Sequence, residues 1–142
     1  MTSIFGNNLL IADSDALIGL IYKDDALHHH CVKIYQYIKE YEIDTFAPYP
    51  IVLEAATLLA RVIKRPDLAK EVLSRYSEVE HQIDLRVAGL VVDLYNPATS
   101  KKNTPFDHYV LALAKKNNIK FVFSFDSFYK KNGLTLMKDL VG

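Results

Sequence analysis

Four carboxylates stand where the neighbouring residues give no packing reason for them: Asp13, Glu54, Asp107 and Asp126. Asp13 follows the apolar run Leu9-Leu10-Ile11-Ala12, and Asp126 comes just after a strand-like segment at 120–124. Asp107 falls in the first turn of a helix opened by Thr104-Pro105. Glu54 lies within Ile51-Val52-Leu53-Glu54-Ala55-Ala56-Thr57-Leu58-Leu59-Ala60, a run apolar apart from it and Thr57. A carboxylate on such a helix is costly to bury unless it is paired, hydrogen-bonded or beside a cation. Taken singly, each has a plain structural role open to it. Asp107 complements a helix macrodipole, Asp126 caps a short helix, Asp13 belongs to a turn, and Glu54 pairs with Arg61 or Lys64. Taken together, four clustered anions repel one another unless positive charge sits among them, and hard oxygen ligands select Mg²⁺ or Mn²⁺. The chemistry of that arrangement is phosphodiester hydrolysis. One ion lowers the pKa of a water, and two ions ~3.5–4 Å apart clamp the attacking and leaving oxygens.

The elements that must position these acids alternate along the chain, and that alternation is the signature of a parallel sheet covered on both faces. Residues 9–12 form a strand buried on both sides. Asp15 caps a short helix over 16–22, and Asp24 or Asp25 caps the next, which runs to about Tyr41 with Val32, Ile34, Tyr35 and Ile38 near helical spacing. A second strand spans 44–47. A helix from Pro50 reaches about Lys64, where Arg65-Pro66 stops it. Asp67 opens another, to about Val79, and a short third strand at 82–85 precedes a helix ending at Leu94 or Tyr95. After a polar loop at 96–103, Thr104 caps a helix with proline at its first position. Residues 120–124 make the most strand-like segment, 127–132 a single helical turn, and 134–137 an edge strand. The expected fold is a three-layer α/β/α sandwich, one domain over 1–142, with a central parallel sheet of about five strands. In such sheets, sites form at the carboxyl ends of strands where strand order reverses.

The acids and their flanks resemble a known family. Leu9-Leu10-Ile11-Ala12-Asp13-Ser14-Asp15-Ala16 is similar to the opening strand and Asp-Ser/Thr motif of PIN-domain ribonucleases. Val52-Leu53-Glu54-Ala55-Ala56-Thr57 is similar to their second acidic helix, and Thr104-Pro105-Phe106-Asp107-His108-Tyr109 to their third. Phe123-Ser124-Phe125-Asp126-Ser127-Phe128 resembles their closing segment. The resemblance covers nearly the whole chain in order. It implies a metal-dependent endoribonuclease like the VapC toxins of type II toxin–antitoxin systems, dimeric and inhibited by a cognate antitoxin whose C-terminal segment enters the acidic groove. By motif, Asp13, Glu54, Asp107 and Asp126 are the catalytic acids that hold Mg²⁺ or Mn²⁺, with Ser14 and Ser124 supporting them. The products it implies carry a 5′-phosphate and a 3′-hydroxyl. Arg61, Lys64, Arg65, Lys101 and Lys102 are candidates to contact the RNA backbone. Two departures from the family pattern are the added charge at Asp15 and the histidine at His108.

Composition sets the outer bounds. With 142 residues, half of them hydrophobic, 24% charged and only five Gly and five Pro, the chain is neither a disordered tail nor a fibre. No apolar run nears the ~20 residues of a membrane span. Residues 1–6 lack the basic stretch of a secretory leader, and one cysteine, Cys31, precludes an internal disulfide, so the expected home is the cytoplasm. Net charge is zero, yet residues 1–97 carry nine basic against fourteen acidic side chains and residues 98–142 carry eight against three. The run His28-His29-His30 cannot converge on one ion, because successive helical residues point ~100° apart. Two rival readings remain. A non-catalytic module on the same fold binds RNA or a peptide. A haloacid-dehalogenase-type phosphatase uses Asp13-Ser14-Asp15 as its Asp-x-Asp, which leaves Glu54 unexplained.

Overall fold

The computed structural model describes residues 9–77, 83–98 and 102–142. Among these residues four strands form one sheet: β1 (Leu9–Ala12), β2 (Asp44–Phe46), β3 (Phe121–Phe123) and β4 (Thr135–Leu136). Their order is β2-β1-β3-β4 and every pairing is parallel. All four residues of β1 are buried, as expected for a central strand covered on both faces. Among the described residues seven helices surround the sheet: α1 (Ser14–Ile21), α2 (His28–Glu40), α3 (Tyr49–Arg61), α4 (Pro66–Arg75), α5 (Ala88–Leu94), α6 (Pro105–Lys116) and α7 (Ser127–Lys131). Helices α1 to α4 pack against one another, α5 packs on α6, and a 3-10 turn at Met137–Asp139 closes against α2 and β3. Among the described residues no helix is long and apolar enough to cross a membrane.

From β1 the chain steps to one neighbour, β2, and later places β3 and β4 on the other side. Strand order therefore reverses between β1 and β3. The carboxyl ends of those two strands open the crevice where doubly wound sheets place their ligands. Asp13 directly follows β1, its backbone N–H donating to the Phe123 carbonyl at 3.0 Å, and Asp126 lies three residues past the end of β3.

The sheet has four strands, not about five, and the missing one is instructive. Of the expected strand at 82–85, Gln82 lies outside the described residues, and 83–85 form no strand. The backbone of Asp84 pairs with a side chain instead of a ladder. The Asn117 amide at the end of α6 accepts from the Asp84 N–H at 2.7 Å and donates to the Asp84 carbonyl at 2.9 Å. Helix boundaries also move. The N-cap of α1 is Asp13 rather than Asp15. The N-cap of α2 is Leu27, because Asp25 is spent closing the preceding turn, its carboxylate accepting from the Leu27 N–H at 2.8 Å. Helix α3 stops at Arg61, and Lys64 turns to a positive φ of 62°. Helix α4 ends at Arg75, and the expected end at Val79 lies outside the described residues.

Helices α1 and α2 meet at a glycine. A methyl group built on Gly19 would collide with the Cys31 sulfur, and both residues lie on buried helix faces. Burial also pushes the Cys31 thiol up to about 12, so it is a neutral, packed group. Gly19→Ala is expected to destabilise the protein by about 1–3 kcal/mol through overpacking, measured by urea unfolding, although alanine favours the helix by itself. A Gly19→Ala protein as stable as the parent would mean that this pair of helices is not close-packed.

Candidate active site

Among the described residues three polar side chains are buried: Asp13, Ser124 and His108. Two of them belong to the acidic crevice and the third lies beside it. Asp13 caps α1, its Oδ1 accepting from the Ser14 N–H at 2.7 Å, while the buried Tyr129 phenol donates to Oδ2 at 2.6 Å. Asp107 stands in the first turn of α6 as part of a capping box, its Oδ2 accepting from the Thr104 N–H at 3.1 Å. Its Oδ1 lies 3.5 Å from the same Tyr129 hydroxyl. Asp126 caps α7 through Oδ1, which accepts from the Phe128 N–H at 2.9 Å. The Asn103 amide then spans the remaining gap, donating to Asp107 Oδ2 at 3.2 Å and to Asp126 Oδ2 at 2.9 Å.

Glu54 reaches the same crevice from α3. Its charge feels the Ser14 hydroxyl, Asp107 and Asp15, and its Oε1 is buried with no hydrogen-bond partner among the described residues. Among the described residues it forms no ion pair, so the alternative pairing with Arg61 or Lys64 is not made. Burial first, then the charges of Asp107 and Asp15, push its carboxyl up, against the opposing pull of the Ser14 hydroxyl. Asp13 behaves alike. Burial and the Asp15 charge, with a smaller push from Asp107, raise it to about 8, while the Tyr129 and Ser14 hydrogen bonds hold it down in part. Burial pushes the Tyr129 phenol up as well, so it remains a donor.

Asp15 has a job of its own. Its Oδ2 accepts from the Ser124 hydroxyl at 3.0 Å and the Phe125 N–H at 2.8 Å, and its Oδ1 from the Ala16 N–H at 2.9 Å. Ser124 passes the link on by accepting from the Asp126 N–H at 3.2 Å. Asp15 thereby ties the start of α1 to the turn that presents Asp126. Asp15→Ala strands two of these donors in a partly buried setting and is expected to cost about 1–3 kcal/mol. Urea unfolding reads this directly. An unchanged midpoint would show that water takes over both donors at no cost.

The other sequence candidates divide. Ser14 meets Glu54 through its hydroxyl, and Ser124 is buried between Asp15 and Asp126. Arg61 and Lys64 are exposed, at and just beyond the far end of α3, about two turns or more from Glu54. Arg65 is exposed and pairs with Asp67 through two hydrogen bonds of 3.0 and 2.8 Å. Lys102 lines a cleft beside Asp126. Lys101 lies outside the described residues. His108 is a packed core histidine, its Nδ1 2.9 Å from the Thr104 carbonyl and its ring between Tyr95 and Phe128. His28 bonds the Gly19 carbonyl at 2.7 Å, while His29 and His30 are exposed.

Two residues of the site carry no signal in the sequence that sets them apart. Tyr129 is one of nine tyrosines. Asn103 sits in a polar loop, and its only pointer is its position one residue ahead of the Thr104 cap, four before Asp107.

No family model and no curated protein matches the chain. Among solved structures it matches Mycobacterium tuberculosis VapC20, a toxin that cleaves the sarcin–ricin loop. The two share a TM-score of 0.75 over 89% of this chain and 96% of the other, at 15% sequence identity. This is the PIN fold. The PIN fold accounts for the parallel sheet flanked by helices and for the reversal between β1 and β3.

The fold family implies a divalent ion, and the side chains of this crevice suit one. Every available ligand is an oxygen, as Mg²⁺ and Mn²⁺ prefer. A buried Glu54 oxygen has no partner among the described residues, and burial first, then neighbouring acids, drives Asp13 and Glu54 toward the protonated state, with no ion pair among the described residues to offset it. Among the described residues no three carboxylate, histidine or cysteine groups converge tightly enough to make a finished ion cage. The hydrogen bonds of Tyr129 and Asn103 stand between the acids instead.

Proposed function

We propose that this chain is a divalent-metal-dependent endoribonuclease acting as the toxin of a toxin–antitoxin pair. The observation that carries the reading is Glu54: a carboxylate with an orphaned buried oxygen, aimed from an apolar helix at the same crevice as Asp13 and Asp107. The Ser14 hydroxyl meets this carboxylate, yet its Oε1 has no partner among the described residues, and a purely structural acid would have both oxygens satisfied. Asp13 and Asp107 are the direct ligands in this reading, with Glu54 and Asp126 reaching the ion directly or through water. When bound, Mg²⁺ or Mn²⁺ supplies a lowered pKa for the attacking water and a counter-charge for the phosphate.

The chain's own groups do the positioning. Tyr129 holds Asp13 by its inward oxygen and fixes the spacing to Asp107. Asn103 sets Asp107 against Asp126, and the Ser124–Asp15 link holds the β3–α7 turn in place. Asp126 and Asp107 keep one oxygen on their own helices, so neither side chain is free to swing. The products on this reading are a 5′-phosphate and a 3′-hydroxyl. Action in the cytoplasm, a homodimer and a small antitoxin partner belong to the same proposal.

Total RNA, including ribosomal RNA with an intact sarcin–ricin loop, should be cut by the purified protein in Mg²⁺ or Mn²⁺ and spared in EDTA, with ends mapped by primer extension. Co-purification from its own cells should bring down a small partner. RNA left intact with both ions, together with no heat of ion binding, sinks the enzyme reading. RNA bound but never cut would identify a binding module on this fold instead.

A further inference from the structure

A polar cleft of about 570 Å³ opens beside the acids, within the ~300–1,000 Å³ typical of small-ligand sites. Its walls include Lys102, Asn103, His108, Asp126, Phe128 and Lys131. Asn103 and Asp126 belong to both the cleft and the acidic crevice, so the two are continuous. Both lysines are exposed, and among the described residues neither forms an ion pair, whereas the adjacent Lys130 is held by Asp139 at 3.3 Å. The Asp126 carboxylate already accepts from the Phe128 N–H and the Asn103 amide, so it does not need the lysines. One side of the cleft is aromatic. The Phe128 ring packs 4.9 Å from His108, which is itself braced edge-on by Tyr95. Unpaired cations beside a braced ring are the two elements with which proteins hold single-stranded nucleic acid: charge for the phosphate, a flat face for the base.

We propose that this cleft takes the nucleotide adjoining the scissile phosphate, with Lys102 and Lys131 on its phosphate and Phe128 against its base. The inference rests on the ribonuclease reading and adds to it a direction: the RNA strand leaves the acids on the α7 side. Arg65, paired to Asp67, lies outside this path.

The test is binding and cleavage of a short fluorescein-labelled single-stranded RNA. Anisotropy in Mg²⁺ is measured in an Asp13→Asn background, and kcat and KM in the otherwise native protein. Lys102→Ala and Lys131→Ala should each weaken binding several-fold and flatten the salt dependence by about 0.7 in log–log slope, the share of one phosphate contact on a single strand. In cleavage they should raise KM and leave kcat nearly unchanged, and Lys131→Arg should restore binding. Lys70→Ala on α4, away from the cleft, is the control. If RNA is bound and cut but Lys131→Ala behaves like Lys70→Ala, the cleft assignment is overturned and the ribonuclease reading stands. If the native protein neither binds nor cuts RNA, both fall together.

Discussion

Asp13→Asn is expected to abolish RNA cleavage and, in the same protein, to raise thermal stability at alkaline pH. The two effects have one origin. Asp13 ionises at 3.8 in an unfolded chain and at about 8 in this fold, because burial and the charges of Asp15 and Asp107 oppose its negative form. Between those values the native state keeps a proton that the unfolded chain has released, so stability falls as pH rises from about 4 to about 8. The contribution is fully present below the lower value and lost above the upper one. At 1.36 kcal/mol per pKa unit, it amounts to at most about 6 kcal/mol. Asparagine keeps the hydrogen bond from the Ser14 N–H and can donate to the Tyr129 oxygen, so it removes the charge without emptying the space. Melting curves in EDTA at about pH 5 and about pH 9 should show a steep decline for the parent and a shallower one for the variant. An unchanged slope would remove Asp13 as the source. Activity should fall by more than the roughly 10–100-fold typical of losing a residue that supports a metal ligand. Gain in one property and loss in the other is the mark of a site strained for function.

Tyr129→Phe should act in the opposite sense on stability. The ring is fully buried and its volume is kept, so packing survives, but Asp13 Oδ2 loses its 2.6 Å donor. An unsatisfied buried acceptor costs about 1–3 kcal/mol. Because that hydrogen bond holds the Asp13 carboxyl down, its removal lifts the carboxyl further. The rising limb of the cleavage pH profile should therefore move to higher pH, with a drop of roughly 10–100-fold at neutral pH. A merely structural tyrosine would leave the pH profile where it was. Tyr129→Ala, which also opens a cavity, should cost about 3–5 kcal/mol and serves as the unfolding control.

How far the chain could be read in advance follows from the range of the forces involved. The strand Leu9–Ala12 was legible to the residue, because a run buried on both faces must be apolar at every position. The proline at the start of α6 and the break at Arg65-Pro66 were legible for similarly local reasons. The 82–85 segment misled because its apolar and polar residues suit a strand, yet Asn117, some thirty residues later, takes both backbone groups of Asp84. The placing of Asp13 and Asp126 at strand ends could be inferred from topology alone. The contribution of Asn103 and Tyr129 could not, since Asn103 reaches Asp126 and Tyr129 reaches Asp13, both distant in sequence. Asp15 looked like a cap for the helix that Asp13 in fact caps, and its partners Ser124 and Phe125 lie at the far end of the chain.

Three of the acids do double duty: Asp13, Asp107 and Asp126 each give one oxygen to the first turn of their own helix and turn the other inward. Folding alone therefore rewards an aspartate at 107 and 126, even in a descendant that has lost all chemistry, whereas the buried charge of Asp13 works against the fold as pH rises. Glu54 gives nothing back to its helix, and its orphaned oxygen makes it a burden on one that does not cut RNA. On the ribonuclease reading, position 54 is thus the place where an acid serves the chemistry and not the fold.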